Sequence, residues 1–206
     1  MGRYTGPVCK LCRREGMKLF LKGARCLGPR CSVESRAYPP GQHGQGRKKI
    51  SDYGHQLREK QKVRRYYSVY ERQFRSSFAE ASRRRGITGE AMLQELEIRL
   101  DNVIFRAGLV SSRAEARQLI THRHFQVDGG IVNIPSFQVK PGMVITVKEQ
   151  SRNADVFTQG GTVRRAPGWL NVDPEAKRIE VRSIPTREEM ELPEMREQLI
   201  VEFYSR

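Results

Sequence analysis

Apolar positions follow a helical period through the middle of the chain and a period of two after residue 125, so the pattern predicts helices first and a small sheet second. Residues 55 to 107 contain no proline. They read as a basic helix over about residues 56 to 67, then a helix starting after Ser68. Ser68 and Glu71 stand three apart as a capping box, Phe74, Phe78 and Ala81 line one face, and Gly86 can terminate the turn. A third helix is expected over about residues 90 to 105, with Leu93, Leu96, Leu100, Val103 and Ala107 at core spacing. Ser112 and Glu115 form a second capping box for a helix in which Ala116, Leu119 and Ile120 face inward. From Phe125 the apolar residues Val127, Ile131, Val132, Phe137, Val139, Val144, Ile145 and Val147 are punctuated by Asp128-Gly129-Gly130 and Lys140-Pro141-Gly142, which predicts a small antiparallel sheet. Trp169, the single tryptophan, is expected in a core.

The fold class is therefore α+β: a mostly helical first domain behind an N-terminal four-cysteine segment, then a second domain of paired helices and a small antiparallel sheet. The expected divisions are a knuckle and extended basic arm over residues 1–50, helices over 51–97, the helix-pair module over 98–150, and a remainder over 151–206. At 206 residues the chain can bury its cores without disulfides.

Charge narrows the partners. Lys and Arg outnumber Asp and Glu by 38 to 23, a net charge of +15, which points to a polyanion. Residues 1 to 50 carry 12 basic and 2 acidic side chains, against 9 and 10 in residues 151 to 206. The N-terminal part is where phosphates should sit, because carboxylates beside phosphates lower affinity. No apolar run approaches the roughly 18 residues of a membrane span, and the start lacks a signal peptide's apolar stretch, so a cytoplasmic protein is expected.

Cys9, Cys12, Cys26 and Cys31 are spaced Cys-x2-Cys, x13, Cys-x4-Cys, similar to the paired loops of a tetrahedral zinc site. Disulfides, free thiols and an iron-sulfur cluster are the alternatives. Lys10, Arg13, Arg14, Arg25 and Arg30 favour thiolates electrostatically. Four cysteines leave no open coordination position, so one structural zinc ion is expected and hydrolytic chemistry is not. Arg36 to Gly46, rich in Pro and Gly, reads as an extended arm ending in Arg47-Lys48-Lys49. Arg99, Asn102 and Arg106 fall on one side of their helix, and Arg113 and Arg117 are one turn apart on the next. Two helices should then present an arginine-rich face, with Arg123 beyond them.

Catalysis finds little support. There is no phosphate-cradling Gly-x4-Gly-Lys motif, and His43, His55, His122 and His124 lack a paired nucleophile. Arg99-Leu100-Asp101 resembles a short pseudouridine synthase motif, but Asp101 reads as a helix-surface acid inside an apolar pattern. An RNA-modifying enzyme and a zinc-dependent nucleic-acid-binding regulator are the alternatives; the regulator lacks a recognition helix after the cysteines.

Particular motifs carry a resemblance. They are Arg3-Tyr4-Thr5-Gly6-Pro7, Pro39-Pro40-Gly41-Gln42-His43-Gly44, Ser51-Asp52-Tyr53-Gly54 and Leu57-Arg58-Glu59-Lys60-Gln61-Lys62-Val63-Arg64-Arg65. Glu71-Arg72-Gln73-Phe74, Arg99-Leu100-Asp101-Asn102-Val103, Ser112-Arg113-Ala114-Glu115-Ala116-Arg117-Gln118-Leu119 and Leu199-Ile200-Val201-Glu202-Phe203-Tyr204-Ser205 complete the set. Together they resemble the bacterial small-subunit ribosomal protein S-four family, in the form that keeps all four cysteines. Only about residues 150 to 190 are weakly marked.

The resemblance implies an RNA-binding module in the second domain and a C-terminus returning to the first. It also implies direct binding to small-subunit ribosomal RNA near a multi-helix junction, nucleation of the subunit body, contact with the neighbouring protein S-five, and a part in decoding accuracy. A place beside the messenger RNA entry channel makes Arg47, Lys48 and Lys49 candidates for that contact. No small-molecule substrate and no membrane are implied. The RNA-binding set expected on this basis is Arg3, Lys10, Arg13, Arg14, Lys18, Lys22, Arg47, Lys48, Lys49, Arg58, Lys62, Arg64, Arg65, Arg72, Arg99, Asn102, Arg106, Arg113, Arg117 and Arg123.

Overall fold

The structure, a computed structural model, describes residues 2, 4–46, 49–155, 157 and 166–205. The chain forms two compact units: Met1–Met92 with Leu192–Arg206, and Leu93–Glu191.

In the first unit a short helix α1 (Cys9–Glu15) stops at Gly16, whose φ of 68° is the left-handed value glycine adopts readily. A 3-10 turn (Gly23–Cys26) and α2 (Ser32–Ser35) follow. Helix α3 (Asp52–Tyr66) begins where the Ser51 hydroxyl accepts the Gly54 N–H at 3.2 Å. Its first turn carries Asp52 and its last Arg64 and Arg65, matching the helix dipole at both ends.

Helix α4 (Glu71–Arg83) is capped differently from the expected Ser68–Glu71 box. Ser68 lies in the left-handed region, φ 54°, closing the turn after α3, and the Gln73 side chain accepts the Tyr70 N–H instead. The expected inner face holds: Phe74 and Ala81 are buried. C-terminal helix α8 (Glu197–Tyr204) packs on α3, with Tyr53 and Phe203 rings 5.5 Å apart, and Phe78 of α4 meets Tyr204 at 4.5 Å.

The expected helix over residues 90 to 105 is two helices, α5 (Thr88–Glu97) and α6 (Leu100–Arg106). The break has a cause in hydrogen bonding. Ile98 O accepts Val139 N–H at 2.9 Å, while Leu100 and Asp101 N–H groups donate to Phe137 and Pro135 carbonyls, so the 135–139 segment satisfies backbone groups a continuous helix would have kept. Phe137 and Val139 thus serve this junction, with a single bridge between Arg99 and Gln138, rather than forming the expected strand.

Helix α7 (Arg113–Thr121) follows, starting at Ser112, whose hydroxyl accepts Glu115 N–H at 3.3 Å; Glu115 answers by accepting from Ser111 N–H at 2.7 Å. The sheet is fully antiparallel in the order β2-β1-β3-β5-β4, with β1 (Phe125–Val127), β2 (Gly130–Ile131), β3 (Val144–Val147), β4 (Leu170–Asp173) and β5 (Arg178–Val181). Its inner face, with Phe125, Ile145, Ile179 and Trp169, closes on Leu100, Ile104, Ala116 and Ile120 to form one core.

Candidate nucleic-acid interface

Helix α1 carries Cys9 and Cys12, the 3-10 turn ends on Cys26, and Cys31 precedes α2. All four are free thiols, and all but Cys9 are buried. Burial pushes the Cys12 thiol up from its ordinary value, a backbone hydrogen bond from Leu19 opposes, and Cys26, Cys9 and Cys31 push it up further. Cys26 is raised likewise, by burial first and then by Cys31 and Cys9 against a hydrogen bond from Lys22. The sulfurs therefore share one neighbourhood. They are not drawn into a closed shell: among the described residues no group of three or more His, Cys, Asp or Glu side chains is arranged to hold a metal ion.

Helix α3 spends much of its charge inside the unit. Arg58, at 3.4 Å, and Arg65 both pair with Glu15, whose side chain is 1% exposed. Burial raises the Glu15 carboxyl above its ordinary range despite Arg65 and Arg58. Lys62 pairs with Glu59, and Arg64 lies 3.6 Å from Glu71. Lys60, which the sequence reading did not single out, is buried. It reaches Glu71 at 2.6 Å and stands 4.7 Å from the Phe203 ring centroid. These cations fasten α1, α4 and α8 to α3.

Other members of the expected set face solvent. Lys10, Arg14, Lys22, Lys49 and Arg72 are exposed. Arg13 covers the Tyr38 ring at 4.9 Å and donates to Tyr38 O at 3.0 Å, while Lys18 pairs with Glu34. Arg3, Arg47 and Lys48 lie outside the described residues. On α4 the face opposite Phe74 and Ala81 exposes Arg72, Arg75 and Arg83. The sequence reading missed Arg75, although its spacing of three from Arg72 marks it.

The module's arginines depart from expectation. Arg99, Asn102, Arg113 and Arg117 are buried, so α6 and α7 do not present them as an exposed face. Asp101, expected at the helix surface, is 2% exposed and is the hub: Arg99 Nη2 and Arg117 Nε donate to it at 3.0 and 2.7 Å. Arg113 Nε donates to the Asn102 side-chain Oδ1 at 2.7 Å, and Asn102 Nδ2 donates to the Glu97 carboxylate at 2.7 Å. Arg106 holds the same Glu97 carboxylate through Nε and Nη2 at 3.0 and 2.7 Å. Buried charges demand partners, and Asp101 and Glu97 supply them from the helices themselves. Asp101 is thereby held as a structural counter-ion.

At the far end of α7, Arg123 is exposed with φ 64°, and His124 Nδ1 lies 2.9 Å from Ser151 Oγ. Burial lowers the His124 pKa, with His122 and Lys148 adding to the effect.

Among the described residues no helix is long and apolar enough to cross a membrane. Comparison with known proteins matches residues 3–97 to the ribosomal protein S4/S9 N-terminal domain and residues 98–145 to the S4 domain. The chain is 55% identical over 208 residues to small ribosomal subunit protein uS4A of Symbiobacterium thermophilum, covering the whole of both chains. It is 55% identical over 207 residues to uS4 of Thermoanaerobacter sp. and 56% over 209 residues to uS4 of Geobacter metallireducens, again over full lengths. The protein is not an enzyme. On these full-length matches, the chain belongs to the small ribosomal subunit protein uS4 family.

Proposed function

We propose that the chain is a structural constituent of the small ribosomal subunit that binds its ribosomal RNA directly. The observation carrying this reading is the exposed basic surface of the first unit, Lys10, Arg14, Lys22, Lys49, Arg72 and Arg75, in a chain of this family. Phosphate contacts position a protein on RNA without needing base-specific geometry, and flexible exposed cations suit that task. The buried arginines of α6 and α7 act one step back, holding the module rigid, while Arg123 and neighbouring surface groups meet RNA.

Nucleation of the subunit body, contact with protein S-five and a contribution to accuracy follow from the family resemblance. Lys49, with Arg47 and Lys48, is assigned to messenger RNA at the entry channel on the same support. Residence in the small subunit places the protein in the cytoplasm. Cys9, Cys12, Cys26 and Cys31 would hold one structural zinc ion; four free thiols in one neighbourhood fit that donor set. Bound there, the metal would supply a cross-link between α1, the 3-10 turn and the start of α2, and no reactive water.

Co-sedimentation tests the assignment. The tagged chain should travel with small subunits from a lysate through a sucrose gradient; a chain that stays at the top of the gradient overturns it.

A further inference from the structure

Between the α1 end, residues 39–46 and 49–50, and the first turns of α3 the first unit contains a cleft of about 630 Å³. Its wall is apolar on the side of Pro39, Ile50 and Leu57, its rim carries Arg14, Lys49 and Lys62, and the imidazoles of His43 and His55 line it. Two glycines shape that wall. A Cβ on Gly44 would stand 1.9 Å from the Pro39 carbonyl oxygen, and one on Gly54 would stand 2.7 Å from Ile50 Cγ2. A side chain at Gly44 would collide with the Pro39 backbone, so the arm folds back on itself there with glycine, while one at Gly54 would displace the Ile50 side chain.

From this we propose that the cleft receives one unpaired nucleotide extruded from an RNA strand. The assignment rests on the RNA-binding reading above and narrows it. Duplex phosphates need only a ridge of cations, which α4 already offers, whereas a concave site joining an apolar wall, imidazole rings and a cationic rim matches a splayed-out base with its phosphates. Glu15 and Glu59 also line the cleft, but Glu15 is engaged by Arg58 and Arg65 and Glu59 by Lys62, so the exposed Arg14 and Lys49 keep the rim cationic.

The test uses the full chain, a short unstructured RNA strand and a fully paired RNA duplex of equal length. Ile50 is 51% exposed, so Ile50→Asp puts a carboxylate on the wall without opening a core. It should weaken single-strand binding by about tenfold and change duplex binding less than twofold, the loss expected when one base is unseated. Lys49→Gln should shift the same way, more weakly. With 4-thiouridine in the strand, ultraviolet cross-links should fall on peptides containing Pro39, Ile50 or Leu57.

Equal losses on both probes, no loss on either, or cross-links confined to α4 would overturn the cleft while leaving RNA binding intact. Failure of the unsubstituted chain to bind either probe would instead sink the RNA-binding reading itself. Adenosine monophosphate competing as well as the strand would make this a free-nucleotide site and defeat the assignment to RNA.

Discussion

The Nε of Arg117 donates to the Asp101 carboxylate at 2.7 Å, joining α7 to α6 through a pair that is almost wholly out of solvent. Asp101 also takes Arg99, so one carboxylate holds two buried guanidinium groups. Removing it leaves both cations in a low-dielectric core. Asp101→Asn should destabilise the second unit by about 3–5 kcal/mol, the usual loss when a buried pair is broken from one side. Urea unfolding followed by Trp169 fluorescence reads this directly; a loss within 0.5 kcal/mol, the ordinary range for a surface change, would mean that the network carries no weight.

That network also shows where the sequence stops being legible. Arg113, Ala116, Arg117 and Ile120 share one helical stripe, so the inward face of α7 was visible in the spacing, but two arginines on it look like a binding face until their counter-ions are known. Their partners, Asp101 for Arg117 and the Asn102 side chain for Arg113, come from another helix, and a one-dimensional pattern does not show which helix packs on which. The split between α5 and α6 was hidden for the same reason, since Pro135 and Phe137 carbonyls from a later loop make it. The β4–β5 hairpin did carry a signal: Leu170 and Val172 alternate with polar residues, as do Ile179 and Val181. Each run is only four residues, too short to stand out. The helix faces around Phe74 and Ala116 and the Ser112 cap were readable because they depend on local spacing alone.

The anchor of α8 should respond to pH at both extremes. Tyr204 Oη donates to Glu71 at 3.0 Å. Burial alone would raise the Glu71 carboxyl, but Lys60, Tyr204 and Arg64 together hold it below its ordinary 4.5; Tyr204 is raised above its ordinary 10, by burial first and then by Glu71. A depressed acid gives stability present above its unfolded value and lost as pH falls through the folded one. A raised phenol gives stability present below about pH 10 and lost as pH climbs through its higher folded value. Near-ultraviolet circular dichroism should show a plateau whose acid edge lies below pH 4.5 and whose alkaline edge lies above pH 10. Glu71→Gln should flatten the acid edge, and an unchanged edge would remove Glu71 from the account.

Metal removal should act on the first unit alone. Chelation of the zinc-loaded chain should expose four reactive thiols, increase proteolysis within residues 9 to 31 and weaken RNA binding, because ligand thiolates and local folding are linked. Unchanged protease resistance and RNA affinity after chelation would reduce the cysteines to a local ornament.

The exposed face of α4 gives a contrast with the buried arginines. Arg72→Ala with Arg75→Ala should weaken binding to different RNA sequences by similar factors and leave thermal unfolding within about 2 °C, since surface changes of this kind move stability little. Sequence-dependent losses would mean that these side chains read bases.

The most direct measurement is the salt dependence of binding to small-subunit ribosomal RNA. Several phosphate contacts from the first unit predict a log affinity that falls linearly with log salt, with a slope reduced by about 0.7 to 0.9 for each contact removed at Arg14, Arg72 or Arg75. Arg113→Ala should lower folding stability and leave that slope as it was. A flat dependence in the unsubstituted chain, or a slope that moves with Arg113 and not with the exposed cations, would contradict the division between a buried framework and an exposed RNA surface.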